Sequence, residues 1–106
     1  MKIKALIIED EEPAAERLKK LVAQADPEIE ITEVIVSVSS AVKYLGKNTP
    51  DLIFLDIHLA DGESFEIFNQ TTVTSPIIFT TAYDQFALRA FKLNSLDYLL
   101  KPVKSE

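Results

Sequence analysis

Among its 106 residues the chain has no cysteine, no tryptophan, one histidine and one methionine. Without thiols there are no disulfides to staple a small secreted fold, so stability has to come from an apolar core. No apolar stretch approaches the roughly 20 residues needed to cross a bilayer, which excludes a membrane span. Positive charge is scarce too: 11 Lys and Arg against 17 Asp and Glu leave a net charge of -6. Such a surface repels phosphates, so this stretch has no electrostatic footprint for nucleic acid. Repeats, linkers and low-complexity segments are missing, and Met1-Lys2-Ile3-Lys4 runs into an apolar segment without a signal-peptide cleavage pattern. One domain in the cytoplasm is the expectation.

Five short apolar runs alternate with helical patterns, the mark of repeated βαβ units and a parallel sheet wound on both faces. Their expected cores are Ile3 to Glu9, Ile29 to Val36, Asp51 to Asp56, Pro76 to Thr81 and Asp97 to Leu100. Ala5-Leu6-Ile7-Ile8 and Leu52-Ile53-Phe54-Leu55 are apolar at every position, as suits strands covered by helices on both sides. Glu30 to Ile35 is mixed and reads as an edge strand.

Ala14, Ala15, Leu18, Leu21, Val22 and Ala25 form a stripe at helical spacing, with Pro13 tolerated in the first turn. Ser39 or Ser40 is the expected cap of a second helix that stops near Gly46. Phe65, Ile67 and Phe68 mark a short third helix, and Phe86, Ala87, Ala90 and Phe91 a fourth. A fifth helix to cover the last strand is not in the 106 residues. Either this is a piece of a longer protein or another chain fills the open face.

In open parallel α/β sheets ligands bind outside the carboxyl ends of the strands. The first run delivers Glu9 and Asp10 there, the third Asp56, the fourth Thr81 and Ala82, and the last Lys101 before Pro102. Asp56 follows four large apolar residues and must stand at the sheet's edge, because an unpaired buried charge costs many kcal/mol. Clustered carboxylates call for a cation, and oxygen-only ligands select a hard one. Mg²⁺ fits best, since it accepts one or two carboxylates and leaves places for water and phosphate oxygens. An Asp beside such an ion, facing a Lys, is equipped for phosphoryl transfer through an aspartyl phosphate. Taken singly, each residue has a plainer reading: Asp56 as a loop cap, Glu9 and Asp10 as first-turn acids, Thr81 as a β-former, Lys101 as a solvated charge and Tyr98 as core.

Four stretches in order resemble the receiver domain of two-component response regulators: Ile7-Ile8-Glu9-Asp10-Glu11, Leu55-Asp56-Ile57-His58-Leu59, Thr80-Thr81-Ala82 and Tyr98-Leu99-Leu100-Lys101-Pro102. Thr81 to Phe91 with Leu96 to Pro102 is similar to the subgroup joined to a LytTR-type DNA-binding domain. The resemblance implies a flavodoxin-like five-stranded parallel sheet of order 2-1-3-4-5, a receiver over residues 1–106, and an output domain beyond it. It also implies that Asp56 takes a phosphoryl group from a sensor histidine kinase. Mg²⁺ would be held by Asp10, Asp56 and the His58 main-chain carbonyl, with Glu9 acting through water. Lys101 would pair with Asp56 and then the phosphoryl oxygens, while Thr81 and Tyr98 would act as the switch. The changed surface would be that of the fourth helix and last strand, with homodimerisation there and DNA contacted only through the output domain. Such a chain phosphorylates and dephosphorylates itself and is no turnover enzyme.

Two departures stand out: Glu9 replaces the commoner Asp, and the loop after Asp56 carries Ala60 and Ser64 where proline and glycine are frequent. Gly62 in that loop is expected to compensate. Two other functions fit less well. An Asp-nucleophile phosphatase usually needs a second acid two residues on, where His58 stands. A phosphate-independent pseudo-receiver usually lacks a site residue, whereas Asp10, Asp56, Thr81 and Lys101 are all present.

Overall fold

The computed structural model describes residues 2–80 and the backbone of 81 and 97–100. The elements run β1 (Ile3–Ile8), α1 (Glu12–Ala25), β2 (Ile29–Ile35), α2 (Val38–Leu45), β3 (Leu52–Asp56), β4 (His58–Leu59), β5 (Gly62–Glu63), α3 (Phe65–Gln70), β6 (Ile77–Thr81) and β7 (Asp97–Leu100). Five strands form one sheet in the order β2-β1-β3-β6-β7, and all its pairings are parallel. This is the expected 2-1-3-4-5 winding, with β2 at the edge. The fourth expected helix and residues 101–106 lie outside the described residues.

The unbroken apolar runs have a simple cause. Successive residues of a strand point to opposite faces, and here both faces are covered. Ala5, Ile7, Leu52 and Phe54 pack against Ala15, Leu18 and Val22 of α1. Leu6, Ile8, Ile53, Leu55 and Phe79 pack on the other face against Val38 and Ala41 of α2 and Phe65 and Ile67 of α3. Each large side chain removed from water in this way contributes roughly 2 kcal/mol, so β1 and β3 anchor the sheet. The Phe65 and Phe79 rings meet with centroids 5.7 Å apart, joining α3 to β6.

Strand margins shift by a residue from the sequence expectation, for identifiable reasons. Asp51 precedes β3, yet its amide donates to the Lys4 carbonyl at 2.8 Å and its carboxylate accepts from the Lys4 amide at 2.9 Å. Its side chain takes the place of a ladder carbonyl. Likewise the Glu9 amide donates to the Ile35 carbonyl at 2.8 Å, one step beyond β1. The edge strand has a bulge where Ala5 pairs with Ile31 and Leu6 with Glu33, and the Thr32 hydroxyl donates to the Ala5 carbonyl there.

Helix α1 carries Pro13 in its first turn, where its missing amide costs nothing. Of its expected stripe, Ala15, Leu18 and Val22 are buried. The α2 cap is Ser37 rather than Ser39 or Ser40: its Oγ accepts from the Ser40 amide at 3.1 Å. Three serines lie within four positions, and extended backbone at Ser37 decides which one caps. No helix among the described residues is long and apolar enough to cross a membrane.

Candidate functional site

Strands β1 and β3 are neighbours, with Ile8 paired to Leu55. The residues that follow, Glu9 and Asp10 on one side and Asp56 on the other, therefore reach the same carboxyl edge. One oxygen from each of Glu9, Asp10 and Asp56 lies within 4.8 Å of the others. Glu9 is 3% exposed and Asp56 5%, so two of these carboxylates are held largely out of water. Asp10 is more open to solvent. Like charges this close and this dry need a positive partner.

The Glu9 carboxylate accepts from the Glu11 amide at 3.2 Å, which turns the chain from β1 towards α1 and fixes one arm of the cluster. Beside it a groove of 330 Å³ runs between α1 and β2, lined by Glu9, Asp10, Glu16, Lys19, Val34 and Val36 among others. Val36 is 54% exposed there. The oxygen donors suit a hard divalent ion: three carboxylates, two of them buried, with a solvent-facing side for water. Of the residues expected to bind Mg²⁺, Glu9, Asp10 and Asp56 are thus brought together. His58 is exposed and lies in the loop directly after Asp56, paired with Glu63.

The fourth expected contribution is placed by backbone alone. Asp56 is in register with Thr80 and Thr81 with Leu100, so Thr81 ends β6 one step beyond Asp56, and Lys101 follows the residue beside Thr81. The side chains of Thr81 and Tyr98, and Ala82 and Lys101 as a whole, lie outside the described residues. Thr80 is 2% exposed.

The loop after Asp56 is the part that sequence reasoning resolved least. It forms a small antiparallel hairpin in which His58 pairs with Glu63 and Leu59 with Gly62. Gly62 has φ of +140°, so the expected compensation takes the form of a backbone conformation that residues with a Cβ disfavour. The Ser64 amide closes the hairpin's base on the Ile57 carbonyl at 2.7 Å. The Ser64 hydroxyl is fully buried and finds no hydrogen-bond partner among the described residues.

At the hairpin tip, Asp61 accepts from the Val38 amide at 2.7 Å and the Ser39 amide at 3.2 Å, in the first turn of α2. The Val38 amide above all, with that of Ser39, holds the Asp61 carboxyl below its ordinary value, against a smaller opposing effect of desolvation. Sequence reasoning passed over Asp61. The available signal was an Asp-Gly pair in a turn, which does not reveal a partner more than twenty residues away.

A doubly wound parallel sheet with an acidic crevice at its carboxyl edge puts the chain in the flavodoxin-like class of α/β proteins. Residues 5–106 match the family described as the response regulator receiver domain. The chain is 44% identical over 107 aligned residues to the sensory transduction protein LytT of Bacillus anthracis, covering 98% of this chain and 43% of that protein. The response regulatory domain of protein mrkE from Klebsiella pneumoniae superposes with a TM-score of 0.85 at 31% identity, over 96% of this chain and 85% of that one. The non-phosphorylated HemR receiver domain from Leptospira biflexa gives 0.79 at 29% identity, over 97% and 85%. The chain belongs to the response regulator receiver domain family of two-component systems, and its curated relatives include LytT and LytR sensory transduction proteins. It spans less than half the length of those it matches, 43% for LytT of Bacillus anthracis. Receiver domains are signalling modules rather than turnover enzymes.

Proposed function

We propose that the chain is the phospho-acceptor of a two-component pathway, with Asp56 as the residue modified. The observation that carries this is the convergence of Glu9, Asp10 and Asp56 within 4.8 Å at the sheet's carboxyl edge. An Asp56 carboxylate oxygen attacks the phosphorus of a phosphohistidine on a sensor kinase. The P–N bond breaks, its electron pair stays on the imidazole, which takes up a proton, and an acyl phosphate remains on Asp56. Asp10, Asp56 and the His58 main-chain carbonyl are the groups that would hold Mg²⁺, with Glu9 contributing through water. When bound, the ion neutralises charge on the cluster and on the transferring phosphoryl oxygens.

Lys101 pairs with Asp56 before transfer and with a phosphoryl oxygen afterwards. The Thr81 hydroxyl moves to another of those oxygens, and Tyr98 turns into the space released. Phosphorylation thus favours one of two arrangements of the fourth helix and β7. That surface would support homodimerisation. The share of the LytT-type relatives lying outside this match leaves room for an output domain that binds DNA and controls transcription, and the setting is cytoplasmic. Loss of the acyl phosphate by attack of water is the chain's own dephosphorylation.

The test is incubation with Mg²⁺ and acetyl phosphate followed by intact-mass measurement. One added phosphoryl group, absent from Asp56→Asn, supports the proposal. An unmodified wild type would favour the pseudo-receiver, and repeated turnover of an added phosphomonoester would favour the phosphatase.

A further inference from the structure

The hairpin after Asp56 is short, and beyond its buried Leu59 side chain it draws its hold from the neighbouring elements. It has two residues in each strand, and even longer isolated hairpins are marginal in water. Its base is tied to the sheet, because the Ser64 amide closes on Ile57 next to Asp56. Its tip is tied elsewhere. Both carboxylate oxygens of Asp61 are engaged, one by the Val38 amide at 2.7 Å and one by the Ser39 amide at 3.2 Å. The α2 turn that receives them is itself fixed, since Val38 and Ala41 are buried in the core and Ser37 caps the Ser40 amide. An anion is the favoured partner for these amides at a helix start.

We propose that Asp61 is a positioning residue for the phospho-acceptor site: it clamps the hairpin tip to the first turn of α2 and so holds the His58 carbonyl towards the cation site at Asp10 and Asp56. This rests on the reading of Asp56 as phospho-acceptor. Without the clamp the hairpin keeps its base at Ile57 and Ser64 and its buried Leu59 side chain, while its tip loses the tie to α2, and His58 lies between base and tip. The clamp therefore acts on the main-chain ligand while touching neither the ion nor the phosphoryl group.

The proposal is tested in the full-length protein by calorimetric titration with Mg²⁺, alongside the rate of labelling by acetyl phosphate at saturating Mg²⁺. Asp61→Ala should weaken Mg²⁺ affinity on the order of tenfold, the usual scale for groups that orient a metal ligand, with labelling at saturation close to wild type. Asp61→Asn keeps one acceptor oxygen and should recover part of the affinity; it also decides the matter if Asp61→Ala does not fold. Asp51→Ala removes a comparable carboxylate-to-amide bond, 2.9 Å to Lys4, at the opposite edge of the sheet, and should leave Mg²⁺ affinity unchanged. Wild-type Mg²⁺ affinity in both Asp61 variants, or an equal loss in Asp51→Ala, overturns the positioning role while leaving Asp56 chemistry standing. A wild type that takes up neither Mg²⁺ nor phosphoryl group removes the functional reading and this proposal together.

Discussion

Asp56 and Thr80 are register partners across β3 and β6, and both are buried. Thr81, one step further along β6, is paired with Leu100 beside Lys101. The two threonines should have separable roles. Thr80→Ala removes buried packing and should cost about 1 kcal/mol of stability in urea titration. Thr81→Ala should accept phosphate from acetyl phosphate yet lose the phosphorylation-dependent change in partner binding. Equal partner binding by phosphorylated wild type and Thr81→Ala would exclude the switch role.

Gly62 should resist substitution for a reason of backbone and not of space. A Cβ there meets nothing within 4 Å, but φ is +140°. Gly62→Ala should therefore lower stability by about 1–3 kcal/mol, seen as a reduced urea midpoint with an unchanged slope. A neutral result would mean that the hairpin relaxes to an ordinary turn.

Ser64 offers the opposite case. Its hydroxyl is buried without a partner among the described residues, and its backbone is in the right-handed helical region. Ser64→Ala removes an orphaned polar group at no backbone cost and should stabilise the fold by roughly 1 kcal/mol. Ser64→Gly should gain less, since glycine loses more chain entropy on folding. A loss of stability in Ser64→Ala would reveal a hydrogen bond to the Ser64 hydroxyl.

The Asp61 clamp also sets a pH dependence. Its carboxyl is held below the ordinary value when folded, so the unfolded chain binds the proton more readily. The stabilisation is present above the unfolded value, about 3.9 for aspartate, and is lost as pH falls through the lower folded value. The stability difference between wild type and Asp61→Asn, followed by urea titration, should be constant near neutrality and shrink below about pH 4. A difference that persisted unchanged into acid would mean that the charge of Asp61 contributes nothing.

The strands were legible because burial on both faces writes itself as unbroken apolar runs, as in Leu52 to Leu55, whereas their order was implied only by the family resemblance. Glu9, Asp10 and Asp56 were legible because charge directly after such a run has only the sheet edge to occupy. The clamp was not, since Asp61 is an exposed acid in a turn and its partners are main-chain amides, which carry no side-chain signal. The choice of Ser37 over Ser39 and Ser40 was hidden for a related reason. Three similar side chains compete, and backbone angles pick one.

The central claim is that Asp56 carries the phosphoryl group. An acyl phosphate is reduced by borohydride to homoserine, which marks the modified position permanently. After treatment with Mg²⁺ and acetyl phosphate, reduction and peptide mass mapping should place homoserine at position 56, with none when Mg²⁺ is removed by chelation. Homoserine at Glu9's neighbour Asp10, or at no position at all, would contradict the account.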